Sequence, residues 1–538
     1  MDIEATLLFV LAAVGIVVVV HWIDERTGLP AAALLTVLGI VYAVLPGPNI
    51  GLDPHLVLAV VLPPLLYSAA LDSSLLAIRR NLRTVVSLSV ALVLVTAVLI
   101  GVGFELFVTG ATLAAGIALG AAVAPPDPVA ALAVGRKVGL PPRMITLIQG
   151  EGLLNDATAL TTLTVAVAAA TGEGFSAWSA FGEFLFAAAG GVLVGALVAL
   201  GVRVVRRFRG DPLTLNAVSL ATPFLAYLLG EELHVSGVLA VVVAGLVIGH
   251  DTSRAVSGAS RLQTSAVWRL VDFLLEGFVF LLIGQQLPPV ISGLDQYATS
   301  TIWAAVAVSV GGALLIRPLW LLLTQSLPRS LHTSLGGDGG DRLNWRELVV
   351  LSWSGTRGVI SLAAIFTLPL TVESGAPFPD RDLLLFCTFI VVLVTLVGQG
   401  LTFAPLVRRL GLRADRADQA RLRNEARSAS VEAALHRLEE MDTQEHDAID
   451  DRAIHALRTQ LEARLTRYRK RLAVLEQAED GEIPFSPQYE AALRVRRAVI
   501  EAQREELLRL RDAGSLPDEG LRVLERELDH EERLLPQR

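Results

Sequence analysis

Cysteine and charge are both scarce in this chain of 538 residues. Cys387 is the only cysteine, so the sequence contains neither a disulfide framework nor a cysteine-built metal site. Charged residues make up 18% of the chain, whereas soluble globular proteins carry about 25%. A basic N-terminal region is also lacking, because the chain begins Met1-Asp2-Ile3-Glu4. We therefore expect the first apolar run to be a retained helix rather than a signal peptide.

The sequence patterns of several chemistries are absent as well. There is no Walker lysine loop, no spacing typical of zinc or haem ligands, and no cluster among the nine histidines. The net charge of −8 argues against a nucleic-acid-binding protein. The sequence therefore predicts neither an enzyme nor a resident cofactor.

The charges that are present divide the chain into two parts. From residue 412 to the end, 23 Lys/Arg and 28 Asp/Glu fall within 127 residues, whereas the first 411 residues carry only 47 charges. The mean hydropathy of the whole chain is +0.56. This division predicts an all-α integral membrane domain over residues 1–411 and a water-soluble, charged helical tail over residues 412–538.

Long apolar runs occur throughout the first part, and a helix needs about 20 apolar residues to cross a bilayer. Thirteen runs approach that length, at 3–22, 30–46, 54–71, 83–104, 111–136, 142–170, 178–205, 213–230, 234–250, 267–290, 298–324, 346–370 and 382–407. The loops on one side carry 20 Lys/Arg and those on the other only Arg381. By the positive-inside rule we expect the N-terminus outside the cell and the tail in the cytoplasm.

Two of these runs are interrupted by helix-breaking residues. The fifth reads Ala-Pro-Pro-Asp-Pro-Val at 124–129, with Asp127 inside the interruption. The twelfth reads Ser-Trp-Ser-Gly-Thr-Arg-Gly at 352–358, with the charge of Arg357. If spans 1–6 and 8–13 form two inverted six-helix repeats, both interruptions fall at the fifth position, as is typical of a transporter site. The alternative is a pair of ordinary Pro and Gly kinks.

The sixth run carries a cluster of polar residues. Glu151 and Asn155 lie four residues apart and share a helical face, with Asp156 beside it. Buried carboxylates need partners, and Arg317 and Arg357 are the candidates. Together with Asp127 there are three acids for two arginines, which leaves one carboxylate to be neutralised by a proton or a cation. For Glu151 a purely structural network is an equally good interpretation.

These motifs are similar to those of a known family. The matching stretches are Leu62-Pro-Pro-Leu-Leu-Tyr67, Pro126-Asp-Pro-Val129, Gly150-Glu-Gly-Leu-Leu-Asn-Asp156, Arg357-Gly-Val-Ile-Ser361 and Val397-Gly-Gln-Gly-Leu-Thr402. Over roughly residues 5–411 the chain resembles the NhaP-type sodium–proton exchangers of the monovalent cation/proton antiporter family, and in particular their YjcE-like branch.

The resemblance implies an ion site and a mechanism. Asp156 would hold the cation and the proton alternately, and Asp127 would bind Na⁺ together with it. Asn155 would be the neutral neighbour that is typical of electroneutral members. The ligands would be a monovalent cation and H⁺, with no further cofactor, and the protein would be a homodimer in the plasma membrane.

The resemblance also implies structural roles for the remaining charges. Glu151 and Arg317 would form a buried ion pair, and Arg357 would offset the dipoles of the half-helices at the second interruption.

Three positions depart from the family pattern. Pro126 stands where many members have Thr, Gly152 where many have Ser, and Ser68 where an acidic residue is common. Fewer side-chain oxygens are therefore expected around the ion. Na⁺ is the family default, K⁺ is the alternative, and a cation channel is the alternative from another functional class.

The tail has helical periodicity of its own. Apolar residues recur from Ile454 to Leu475 and from Leu493 to Leu507, separated by a break at 481–487, and Leu521 to Leu535 suggest a short third helix. A self-packed bundle or a dimer clasp is one interpretation, and a regulatory domain is the other.

Overall fold

The computed structural model describes residues 3–45, 54–171, 177–207, 211–255, 257–327, 342–372, 375–414, 416–444, 451–476, 487–513 and 515–533. These residues are mostly helical, and they include one isolated bridge, Thr371–Pro377, but no strand. The chain forms two compact units, Met1–Arg413 and Ala414–Arg538. The predicted all-α class is therefore confirmed for the part of the chain that is described.

The first unit contains twenty α-helices among its described residues. They are α1 Ile3–Thr27, α2 Ala31–Val44, α3 Pro54–Leu56, α4 Leu62–Leu71, α5 Leu75–Arg80, α6 Leu82–Val86, α7 Leu92–Phe107, α8 Leu113–Val123, α9 Pro128–Val138, α10 Pro142–Thr171, α11 Ala177–Arg207, α12 Pro212–Glu232, α13 Gly237–Ala255, α14 Gly258–Gln285, α15 Leu287–Ser292, α16 Thr299–Ser326, α17 Trp345–Trp353, α18 Val359–Phe366, α19 Arg381–Leu393 and α20 Gly400–Leu410. Three π-helical segments continue neighbouring helices into longer ones: Val57–Val61, Ser87–Ala91 and Val394–Gln399.

Nine helices in the described ranges are long and apolar enough to cross a membrane. They are Leu7–Thr27, Pro54–Leu71, Leu82–Phe107, Leu113–Val138, Pro142–Thr171, Phe181–Arg207, Pro212–Glu232, Thr299–Ser326 and Arg381–Leu410. Of the other expected spans, those at 30–46 and 234–250 correspond to shorter apolar helices, Ala31–Val44 and Gly237–Thr252. The span expected at 267–290 coincides with the more highly charged α14, and that at 346–370 with the interrupted pair α17–α18.

The helix expected at 267–290 has different limits in the structure. It begins at Gly258, because Ser257 caps it by accepting a hydrogen bond from the backbone N–H of Ser260. It ends at Gln285, and a short helix with Pro at its start, α15, follows. The polar turn at the beginning of α14 hid this start from a search for apolar runs.

Both predicted interruptions are present. Helix α8 ends at Val123 and α9 begins at Pro128, where the Asp127 carboxylate accepts the Val129 N–H at 2.9 Å and so caps α9. Helix α17 ends at Trp353 and α18 begins at Val359. Residues 124–127 and 354–358 thus form two non-helical links inside apolar surroundings, which membranes tolerate where the backbone is buried in protein.

Helices α2 and α14 are in close backbone contact at two glycines. A Cβ atom on Gly39 would lie 2.2 Å from the Leu281 carbonyl oxygen, and one on Gly284 would lie 2.2 Å from the Thr36 carbonyl oxygen. Only glycine permits this approach, as at other small-residue contacts between membrane helices. The contact fixes the position of α14 in the first unit.

The second unit consists of four helices in its described residues, α21 Arg416–Gln444, α22 Asp451–Glu476, α23 Pro487–Asp512 and α24 Asp518–Arg533. Helix α21 packs on α22, and α23 packs on α24 around the buried residues Ile500 and Leu528. The sequence analysis missed α21, because the first half of this helix is polar and its apolar stripe, Val431, Leu435 and Leu438, is short. Most of the expected break at 481–487 lies outside the described residues, as does Leu535.

Candidate functional site

The two interruptions lie against each other in the first unit. The backbone N–H of Asp127 donates to the carbonyl oxygen of Thr356 at 2.6 Å. In return, the Thr356 hydroxyl donates to the carbonyl oxygen of Asp127 at 2.8 Å. Backbone groups that would pair within a continuous helix thus form hydrogen bonds between the two interrupted segments instead. The chain brings together two segments that lie more than two hundred residues apart.

The Asp127 carboxylate lies at the beginning of two half-helices. It caps α9, and it also contacts Gly358, the residue that precedes α18, where a Cβ atom would overlap its Oδ2. Helix N-termini carry partial positive charge, so this position favours an anion. Glycine at 358 is required by the approach of the carboxylate.

The Arg357 guanidinium lies among backbone carbonyls. Its Nε donates to the Val123 carbonyl oxygen at 2.9 Å, at the end of α8, and its Nη1 donates to the Gly355 carbonyl oxygen just beyond α17. Its backbone N–H donates to the Thr395 hydroxyl at 3.0 Å. A cation at these helix C-termini has the sign expected for offsetting their partial negative charge.

This placement differs from one part of the sequence analysis, which considered Arg357 as a partner for a carboxylate. Within the described residues, Arg357 forms no ion pair. The placement agrees with the other role, implied by the family resemblance, in which Arg357 offsets the half-helix dipoles, and that role stays a prediction. More than one acid of the site is therefore left without an arginine.

Helix α10 places the other two polar residues beside the first interruption. The Asn155 amide donates to the Pro126 carbonyl oxygen at 2.8 Å, whereas its Oδ1 has no hydrogen-bond partner. Asn155 is completely buried, and Asp156 is 4% exposed. Asp156 interacts electrostatically with Asp127, and neither carboxylate has a cationic partner among the residues described.

Glu151 and Arg317 are in contact one helical turn away. Arg317 Nη2 donates to Glu151 Oε2 at 2.8 Å, and Nη1 donates to Oε1. The remaining donor, Nε, binds the Leu351 carbonyl oxygen at 2.8 Å. Both side chains are nearly completely buried, so the pair is desolvated and bidentate. The expected contact is present, and its structural role stays a prediction.

The position after Glu151 has no room for a larger side chain. A Cβ atom on Gly152 would lie 2.3 Å from the Pro128 ring. Gly152 therefore packs directly against the proline that begins α9. As a glycine it contributes no hydroxyl oxygen near the acids.

Sequence reasoning missed two acids in α14, Asp272 and Glu276. They lie four residues apart on one helical face, and the Ser68 hydroxyl donates to Asp272 Oδ2 at 2.5 Å. Glu276 interacts electrostatically with both Asp272 and Asp127. The sequence contained a signal for them, since both acids interrupt the apolar run at 267–290. An ionisable residue inside a membrane helix commonly marks an ion path, and this applies to them as it does to Asp127.

The site therefore combines two buried carboxylates, Asp127 and Asp156, with the unpaired amide oxygen of Asn155. Hard oxygen atoms of this kind bind small cations, and carboxylates also bind protons. No group of three or more His, Cys, Asp and Glu with metal-site geometry occurs in the residues that the structure describes. The arrangement can therefore accept either a small cation or a proton.

Comparison with known proteins agrees with the motifs. Residues 9–409 match the family described as sodium/hydrogen exchanger, transmembrane. The chain is 33% identical to an uncharacterised Na⁺/H⁺ exchanger of Mycobacterium bovis over 98% of this chain and 95% of that protein. It is 30% identical to YjcE of Escherichia coli over 92% of both chains, and 30% identical to the Na⁺/H⁺ antiporter ApNhaP of Aphanothece halophytica over 76% of this chain and 75% of that protein.

The fold is similar to that of the sodium proton antiporter MjNhaP1 from Methanocaldococcus jannaschii. The TM-score is 0.60 at 19% identity, over 76% of this chain and 99% of that one. The resemblance inferred from the motifs is thus confirmed. The chain belongs to the family of transmembrane sodium/hydrogen exchangers, which are multi-pass transporters rather than enzymes.

Proposed function

We propose that this protein exchanges Na⁺ for H⁺ across the plasma membrane by competition of the two ions for Asp156. Membership of the exchanger family supports cation/proton antiport. The observation that carries the finer mechanism is the pair of buried acids, Asp127 and Asp156, without a cationic partner among the described residues. The helix N-termini offset part of the charge of Asp127, whereas Asp156 needs a proton or a cation to neutralise it.

Obligatory exchange follows from the need to neutralise the Asp156 carboxylate. A site that holds either Na⁺ or H⁺ can pass the hydrophobic barrier, whereas an empty, charged site is costly to move. Asn155 is neutral, so one cation replaces one proton and the cycle moves no net charge. Asp127 stays ionised at the half-helix N-termini and contributes to Na⁺ binding in this proposal.

We propose the following architecture for the membrane domain. Thirteen spans arise from the nine long helices, the two shorter ones, α14 and the pair α17–α18. Spans 1–6 and 8–13 are inverted repeats, the N-terminus lies outside the cell, and the tail is cytoplasmic. The protein functions as a homodimer and contributes to pH and Na⁺ homeostasis.

K⁺ is the second candidate for the transported cation. The observation that favours it is the small number of side-chain oxygens, since Pro126, Gly152 and Ser68 replace residues that often carry oxygen ligands. A larger, more weakly hydrated cation needs less replacement of its water shell.

The test is transport by the purified protein in liposomes that contain a pH-sensitive dye. External NaCl, KCl and LiCl are added in turn, and we expect Na⁺ to enter in exchange for H⁺, so that the pH of the lumen rises. Liposomes without protein are the control. A response to K⁺ alone would select the second candidate, and the absence of any cation-driven pH change would contradict the antiport proposal.

Charge balance is tested in the same liposomes. Clamping the membrane potential with valinomycin and K⁺ should leave the Na⁺-driven pH change nearly unaltered. A flux that follows the imposed voltage would mean that a second carboxylate, Asp127, also exchanges its ion. Current without proton coupling would mean a channel.

A further inference from the structure

A cavity of about 220 Å³ lies at the ends of α4, α12, α13 and α14, outside the site described above. Its walls include Ser68, Asp72, Arg206, Trp268 and Asp272. Three arginines in its lining, Arg206, Arg261 and Arg269, place it on the basic face of the membrane domain. The positive-inside rule assigns that face to the cytoplasm. The Tyr67 ring packs on Trp268, one of the residues that line the cavity.

Asp272 is the acid at the inner end of this cavity. Its Oδ2 accepts the Ser68 hydroxyl at 2.5 Å, whereas its Oδ1 is buried and has no partner. The neighbouring cations are engaged elsewhere, since Arg269 Nε donates to the Ser265 carbonyl oxygen and Arg206 Nη1 donates to the Thr252 hydroxyl. Within the described residues no arginine forms an ion pair with Asp272. One carboxylate oxygen is therefore free for a cation.

Glu276 lies one turn further along α14 than Asp272, on a helix that also packs on α18, which follows the second interruption. It interacts electrostatically with Asp272 and with Asp127. No hydrogen bond or ion pair of Glu276 occurs among the residues that the structure describes. A carboxylate in a membrane helix without a counter-charge is costly and commonly marks an ion or proton path.

We propose that Asp272 and Glu276 connect the cavity to Asp127 and carry the transported cation and the proton between them. This inference rests on the proposed antiport function and adds two residues to it. Asp272, held by Ser68, binds the cation where it leaves bulk water, and Glu276 binds it before it reaches Asp127. The same two carboxylates carry the proton in the opposite direction. The close contact of α2 and α14 at Gly39 and Gly284 keeps the two acids at a fixed depth.

The experiment compares Glu276→Gln and Asp272→Asn with the wild type and with Glu105→Gln, which removes an exposed acid of α7. Na⁺-driven pH change is measured in everted and in right-side-out membrane vesicles. We expect both variants to need at least about tenfold more Na⁺ for half-maximal flux when Na⁺ is supplied on the basic face. The change should be smaller when Na⁺ is supplied on the other face, and Glu276→Asp should restore much of the loss. Glu105→Gln should match the wild type.

A binding measurement separates this inference from the antiport proposal. The increase in melting temperature with NaCl is recorded for each purified variant, and the midpoint should shift to higher Na⁺ in Glu276→Gln. An active wild type whose Glu276→Gln and Asp272→Asn variants keep the same Na⁺ dependence would overturn the inference alone. Variants that melt at a lower temperature but keep the Na⁺ dependence of the wild type would also overturn it. The two acids would then stabilise the fold without binding the cation. A wild type without cation-driven flux would instead contradict the antiport proposal.

Discussion

Asp156 is the residue on which the proposed exchange mechanism depends most directly. Asp156→Asn keeps the size of the side chain and removes the charge that a proton or cation neutralises. We expect cation-driven proton flux in liposomes to disappear, while the protein still inserts and melts near the wild-type temperature. Asp295→Asn is the control, since Asp295 is an exposed acid outside the site. Full flux in Asp156→Asn would refute competition at this carboxylate.

Glu151 should matter for stability rather than for ion binding. Glu151→Gln leaves Arg317 buried with only part of its hydrogen bonds, which costs about 3–5 kcal/mol. We expect a lower melting temperature and a lower yield, measured on the purified variant. The Na⁺ concentration for half-maximal flux should change less than stability does. A stable variant with greatly weakened Na⁺ affinity would place Glu151 in the ion site instead.

Single residues differ in how well the sequence predicts their surroundings. The need of a buried acid for a counter-charge left both Arg317 and Arg357 as candidates, and the family resemblance implied the pairing of Glu151 with Arg317. The resemblance also implied a place for Arg357 at the half-helix ends, but not which carbonyls accept its hydrogen bonds, since backbone carbonyls leave no mark in a sequence. Asp272 and Glu276 lie inside an apolar run that is long enough to predict a span, and apolar length alone does not single out the charges within it.

The crossing of the interrupted helices is the element on which the geometry of the site depends. Gly358→Ala adds a Cβ atom where the Asp127 carboxylate lies, so the carboxylate must move or α18 must shift. We expect the Na⁺ requirement for half-maximal flux to rise at least about tenfold, measured with the dye in liposomes. Gly398→Ala is the matched control, because no atom lies within 4 Å of the position of its Cβ. Equal flux in the two variants would show that Asp127 tolerates displacement.

Elements with strong local signals were predictable from the sequence. Three prolines around Asp127 and the Gly-rich stretch at 352–358 forced both interruptions, whatever the rest of the fold required. The limits of α14 depended on a serine cap in polar surroundings, which an apolar scan does not detect. Helix α21 is polar in its first half, and only Val431, Leu435 and Leu438 in its second half have the spacing of an apolar stripe, on a helix that packs against α22.

At the scale of the whole molecule, every residue assigned to the ion site lies in the first compact unit. A chain that ends after Arg413 should therefore still insert and exchange Na⁺ for H⁺ in liposomes. We expect its maximal flux per molecule to stay close to that of the full chain, because the truncation removes none of the residues assigned to the ion site. The control is the same truncation with Asp156→Asn, which should be inactive. Loss of flux on truncation alone would mean that the tail is needed for activity.

The hydrogen bond from Arg357 to Val123 constrains the order in which the protein can be assembled during synthesis. The two residues lie 234 positions apart, so the ribosome finishes α8 long before it translates Arg357. An arginine at the centre of a newly inserted segment costs roughly 3 kcal/mol in the translocon. The carbonyl that offsets this cost is already in the bilayer when α17–α18 arrives. In a circularly permuted gene that encodes α17–α18 first, this segment would be inserted before the Val123 carbonyl is present in the bilayer. We expect most of the product to be misinserted and rapidly degraded.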